Sequence, residues 1–163
     1  MASDATGASD YERRQIAFFL EPRPRQVEPG SALVVLPWGV GFDYLHEAAI
    51  LPALTANGLN VADVRRVLDH DSPLPDVCQF LLPAEVVVLD ASHLNPAVLY
   101  VLGLAHGLGR CPILLVQHSA AELPFDLSLM RCIEYEAQRT EGMIHLRERL
   151  TRAVRIFLAS RGG

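Results

Sequence analysis

At 163 residues and 17.9 kDa, the chain has the length of a single domain. Half of its residues are hydrophobic and the mean hydropathy is +0.22, enough for a core without disulfide staples. A net charge of -5 and a pI near 5.6 argue against the basic stripe of a nucleic-acid binder, and no apolar run approaches the ~18 residues of a membrane span. The start, Met1–Gly7, is too polar for a signal peptide, so a cytoplasmic protein is expected. All 14 basic residues are arginine, which excludes a Walker A loop, Schiff-base chemistry and pyridoxal-phosphate catalysis. Cys78, Cys111 and Cys132 form no C-x-x-C pair, so neither a disulfide framework nor a zinc knuckle is expected.

Residues 1–30 read as an appendage and linker ahead of a domain over 31–163. Ser9 and Glu12 have capping-box spacing and predict a short helix over Tyr11–Leu20. Glu21–Gly30, with Pro22, Pro24 and Pro29, reads as an extended linker. Ala32–Leu36 is a buried strand. Phe42–Asn57 is helical, with Leu45, Ala49 and Ile50 on one face and an Asn57-Gly58 stop. Leu59–Val64 is a weaker strand, and Pro75–Leu82 a short helix. Glu85–Asp90 has the unalternating β-branched run of a central parallel strand. Asn95 and Pro96 are the N-cap and first position of a helix reaching Gly107. Pro112–Gln117 and Arg131–Glu134 are strands, and Thr140–Ser160 closes the chain as an amphipathic helix.

This alternation predicts a doubly wound α/β domain, a flavodoxin-like parallel sheet of about five strands in the order 2-1-3-4-5. Ligands of such sheets bind beyond the carboxyl ends of the strands, which directs attention to the loops there. In the first, Pro37, Trp38, Gly39 and Gly41 either let backbone amides approach a phosphate or simply make a tight strand-to-helix turn. Trp38 either stacks on a base or covers the sheet end. In the second, Asp90 either reaches sugar hydroxyls or closes an Asx-type turn, while Asn95 caps the helix in both cases. His46, His70, His93, His106 and His118 show no metal-ligand spacing, so no metal and no cofactor are expected.

The stretch NPAVLYVLGLAHGLGRCPILLVQ, Asn95–Gln117, resembles the segment N-P-N-V-x-Y-E-L-G-x-A-H-A-L-G-K-P-V-I-L of nucleoside 2-deoxyribosyltransferase-like proteins. Residues 34–40, the run Ile50, Pro52, Ala53 and Gly58, residues 84–92, and LPFDL (123–127) followed by Arg131, Ile133 and Tyr135 are similar to further family motifs in the same order. The resemblance spans about residues 32–158. It implies a flavodoxin-like fold distantly related to TIR domains, a homo-oligomer, and enzymes that cleave or exchange the N-glycosidic bond of nucleosides and nucleotides. Bacterial relatives of the TIR type serve signalling or antiphage defence. The family's catalytic glutamate, after the tyrosine of its Y-E-L-G motif, falls on Val101, which has no lone pair to attack or stabilise an anomeric carbon.

Three functions follow as expectations. The first is a nucleoside- or nucleotide-binding domain with a degenerate site, clamping its ligand with Pro37, Trp38, Gly39, Gly41, Asp90, Asn95, Tyr100, Val101, Phe125 and Asp126. The second is an active N-glycosidase using another carboxylate, with Asp90 and Asp126 as first candidates and Asp43 and Glu47 behind them. The third is a TIR-like interaction module. The helix from Pro96 is apolar nearly all round and has to be covered on its outer side. A homodimer is the expected cover, and the appended N-terminal helix the intramolecular alternative.

Overall fold

The computed structural model describes residues 26–37, 39–63, 73–117, 123, 124, 127, 130 and 132–161. The expected helix over Tyr11–Leu20 and the candidates Trp38, Phe125 and Asp126 lie outside these residues. Strands β1 (Glu28–Val35), β2 (Asn60–Asp63), β3 (Ala84–Asp90), β4 (Ile113–Gln117) and β5 (Cys132–Tyr135) form one parallel sheet in the order β2-β1-β3-β4-β5. Among the described residues, four helical stretches surround it. We label as α1 the run Val40–Leu45, π-helical His46–Ile50 and Leu51–Thr55; α2 is Pro73–Leu81, α3 is Pro96–Gly107 and α4 is Thr140–Ala159. The architecture is the flavodoxin-like α/β fold expected from the alternation of elements.

Strand alternation divides the core into two layers. Ala32, Val34, Val86 and Val88 point to the face covered by α1 and α4, where Ile50, Leu54, Leu146 and Leu150 are fully buried. Leu33, Val35, Val87 and Leu89 point to the opposite face, against Val77 and Leu81 of α2 and Val98, Val101 and Leu102 of α3. With helices on both faces, β3 has no polar face to show, which is why its sequence does not alternate.

Two helices stop as their glycines require. Gly58 has φ 75°, with Leu59 N–H donating to Leu54 O and Gly58 N–H to Thr55 O. Gly109 has φ 71°, with Arg110 N–H donating to Ala105 O and Gly109 N–H to His106 O. Both are Schellman motifs, in which the left-handed residue lets the orphaned carbonyls of the last turn find donors.

One expectation is corrected. The linker does not extend to Gly30, because β1 begins at Glu28. Glu28 N–H donates to Pro83 O at 2.9 Å, and the register shifts between Glu28 and Ala32. Gly30, at φ 79°, absorbs that irregularity, and its N–H donates to the Glu85 carboxylate at 2.6 Å. Proline and glycine read locally as linker residues, yet here they make the bulged first turn of a strand.

Candidate functional site

The order β2-β1-β3 places the topological switch between β1 and β3, so the β1–α1 and β3–α3 loops frame any crevice at the carboxyl edge. These loops meet: the rings of Phe42 and His93 stand edge to face, 5.6 Å between centroids. Gly39 precedes α1 at φ 140°, a conformation that favours glycine, and its carbonyl accepts from Phe42 N–H at 3.0 Å. Among the described residues, Leu94 is the non-glycine residue in the left-handed region, at φ 48°, and its N–H donates to Ala91 O at 3.1 Å. A bulky side chain in that region is strained, so the β3–α3 loop is held in shape by its surroundings.

Asp90 supplies much of that hold. It lies at the end of β3 with 0% of its surface exposed. The Tyr135 hydroxyl donates to its Oδ2 at 2.6 Å, and Ser92 N–H donates to its Oδ1 at 2.9 Å. Ser92 Oγ lies 3.4 Å from the Tyr135 hydroxyl and accepts from Gln117 N–H at 2.7 Å. Three strand ends are thereby tied together. The geometry from Asp90 to Ser92 is the Asx-type turn, and it leaves no carboxylate oxygen facing solvent. Burial pushes the Asp90 carboxyl above the ordinary carboxylate range, opposed by the bonds from Tyr135 and Ser92 and by the charge of His93. Burial and the neighbouring Asp90 push the Tyr135 phenol upward as well, which keeps it a donor.

Asn95 caps α3, its Oδ1 accepting from Ala97 N–H at 2.9 Å and Val98 N–H at 3.3 Å. Tyr100 is on the outer side of α3, 55% exposed. Val101 is buried in the α2/α3 layer, whereas Asp90 and its partner Tyr135 point to the α1/α4 side. Asp90 and Val101 therefore occupy opposite faces of the sheet. Pro37 is buried at the strand end, and Gly39, Gly41, Asp43 and Glu47 are exposed.

Tyr135 is the residue that sequence reasoning left without a role. It lies 45 positions from Asp90, and only the sheet order brings the two together. A depression of about 840 Å³ lies between the end of β5 and the start of α4. Its rim is charged, with Glu134, Glu136, Arg139 and Arg149, and it shares only Tyr135 with the buried cluster. Its position away from the switch point makes the carboxyl edge between the β1–α1 and β3–α3 loops the better candidate. Among the described residues no group of three or more His, Cys, Asp or Glu is placed to hold a metal ion. Among them, too, no helix is long and apolar enough to cross a membrane.

Fold and site together define a doubly wound α/β domain with a closed Asp–Tyr–Ser cluster at its switch-point edge. No protein-family model, no curated protein and no solved structure matches the chain.

Proposed function

We propose that this domain binds a nucleoside or nucleotide at the β1/β3 crevice without cleaving it, acting in the cytoplasm as a sensor or regulatory subunit in signalling or defence. The observation that carries the reading is the state of the carboxylates. The position where the resemblance calls for a catalytic glutamate holds Val101, packed in the core, and Asp90 has both oxygens engaged. A glycosidase needs a carboxylate within reach of the anomeric carbon, and neither Val101 nor the closed Asp90 offers one. Binding asks less: a shaped loop pair, glycine backbone at Gly39 and Gly41, and aromatic surface, all of which frame the switch point.

The test is calorimetric titration of the full chain with nucleosides, nucleotides and NAD, with chromatography of each mixture for released base. Saturable binding of a member of the panel with the base still attached is the expected result. Base release overturns the reading in favour of an active glycosidase, and the absence of binding to any member overturns it altogether.

A further inference from the structure

We propose that the groove between the end of α1 and the second half of α4 is an anion site that takes a short oligophosphate chain. The net charge of -5 hides an uneven distribution: Arg139–Arg161 holds six of the fourteen arginines and two of the nineteen acidic residues. Part of this excess converges on one place. Pro52, Ala56, Arg147, Thr151, Arg152 and Arg155 line a cavity of about 470 Å³, a volume within the range of small-molecule sites. Both helices run from the carboxyl edge of the parallel sheet back to its amino edge, so the groove lies away from the β1/β3 switch point. It is a site separate from the one described above.

The groove stands on a fixed frame. Leu54 and Leu150 are fully buried in the layer the two helices share, and Asn57 Nδ2 donates to Ala53 O at 2.9 Å and across to Thr151 O at 3.2 Å. Arg147 and Arg155 are eight residues apart, about 12 Å along the helix axis, with Arg152 between them. No carboxylate neutralises this row. Among the described residues none of the three guanidiniums makes an ion pair, and Glu148, the carboxylate of the lining, is bonded to none of them. Arg149 is engaged elsewhere, its Nη1 donating to Glu134 O at 2.7 Å. Like charges one turn apart, as at Arg152 and Arg155, weaken a helix, so the row does not serve the fold.

The chemistry of the lining selects the ligand. A guanidinium is a planar fork of donors that pairs bidentately with phosphate oxygens. The lining contains no aromatic ring on which a base could stack, so charge is what the groove reads. Three arginines around one small volume call for several negative charges packed closely. An oligophosphate carries them on adjacent groups, whereas an acidic peptide spreads one carboxylate per residue. A long polyanion such as nucleic acid would also meet the field of a protein with net charge -5, which repels it.

Calorimetric titration of the full chain with inorganic tripolyphosphate tests this. The expected result is saturable binding that weakens with added salt and falls about tenfold in Arg152→Gln and in Arg155→Gln. In the triple variant Arg147→Gln, Arg152→Gln, Arg155→Gln it disappears. These positions are exposed and glutamine is a good helix former, so helical circular dichroism is retained; should the triple variant not fold, the single variants decide. Arg139→Gln, at the start of α4 and outside the groove, keeps full affinity. ATP titrated into the same variants distinguishes the source of the phosphates. A loss parallel to that of tripolyphosphate points to the tail of a nucleotide, and ATP binding untouched by the variants points to an inorganic chain. The absence of saturable tripolyphosphate binding overturns the proposal, as does binding that survives the triple variant or falls equally in Arg139→Gln. Tighter binding of a single-stranded DNA oligonucleotide or of oligoglutamate, lost in the triple variant, overturns it in favour of nucleic acid or of an acidic protein.

Discussion

Tyr135→Phe removes one hydroxyl from a fully buried polar cluster and leaves the ring, and hence the apolar packing, in place. Asp90 has 0% of its surface exposed and accepts the lost bond at 2.6 Å, so water has no access to replace it. A hydrogen bond to a charged group contributes about 1.5–3 kcal/mol, and one to a neutral group about 0.5–1.5 kcal/mol. Which figure applies depends on pH. Burial raises the Asp90 carboxyl, so the folded protein holds that proton more tightly than the unfolded chain. The resulting stabilisation is fully present below the ordinary value of 3.8 and is lost as pH rises through the raised folded value. The Tyr135 bond is the largest influence opposing that rise, so its removal lifts the folded value further and extends the loss to higher pH. The deficit of the variant should therefore grow with pH, from about 1 kcal/mol where Asp90 is protonated to about 2–3 kcal/mol where it is ionised. Urea denaturation of both proteins at the acid and the alkaline ends of their stable range measures it. A deficit below about 0.5 kcal/mol at both ends, or one that shrinks as pH rises, refutes the reasoning.

Three further outcomes are expected. In Gly142→Ala the new methyl would run into the Glu136 carbonyl oxygen, so the start of α4 has to shift; a loss of about 1–3 kcal/mol should appear in urea denaturation. Val101→Glu puts a carboxylate into the α2/α3 layer on the sheet face opposite Asp90, costing about 3–5 kcal/mol near neutral pH and less in acid, with no base release by chromatography. Asn95→Ala strips the cap from α3 and should cost about 1 kcal/mol, read as a lower urea midpoint at unchanged slope.

The sequence by itself determined the elements and their order. Apolar runs such as Ala84–Asp90 and Ile113–Gln117, the Asn95-Pro96 start of α3 and the Gly58 stop of α1 are local signals, because caps, positive φ and burial on both faces act within a few residues. With crossovers confined to one hand, those elements leave few sheets to choose from, and the 2-1-3-4-5 order is one of them. The tertiary structure alone decided where the described site residues stand and which groups they bond. Asp90 read as a ligand to sugar hydroxyls or as a turn closer, and in the structure Tyr135, two strands away, takes one oxygen and Ser92 N–H the other. Val101 read as a pocket position until the rotation of α3 turned it into the core and left Tyr100 outside. Glu28–Gly30 read as linker until Pro83 and Glu85 supplied partners for its amides. Apart from the local bond from Ser92, the deciding partners are distant in sequence, and no periodicity or capping rule carries information across that distance.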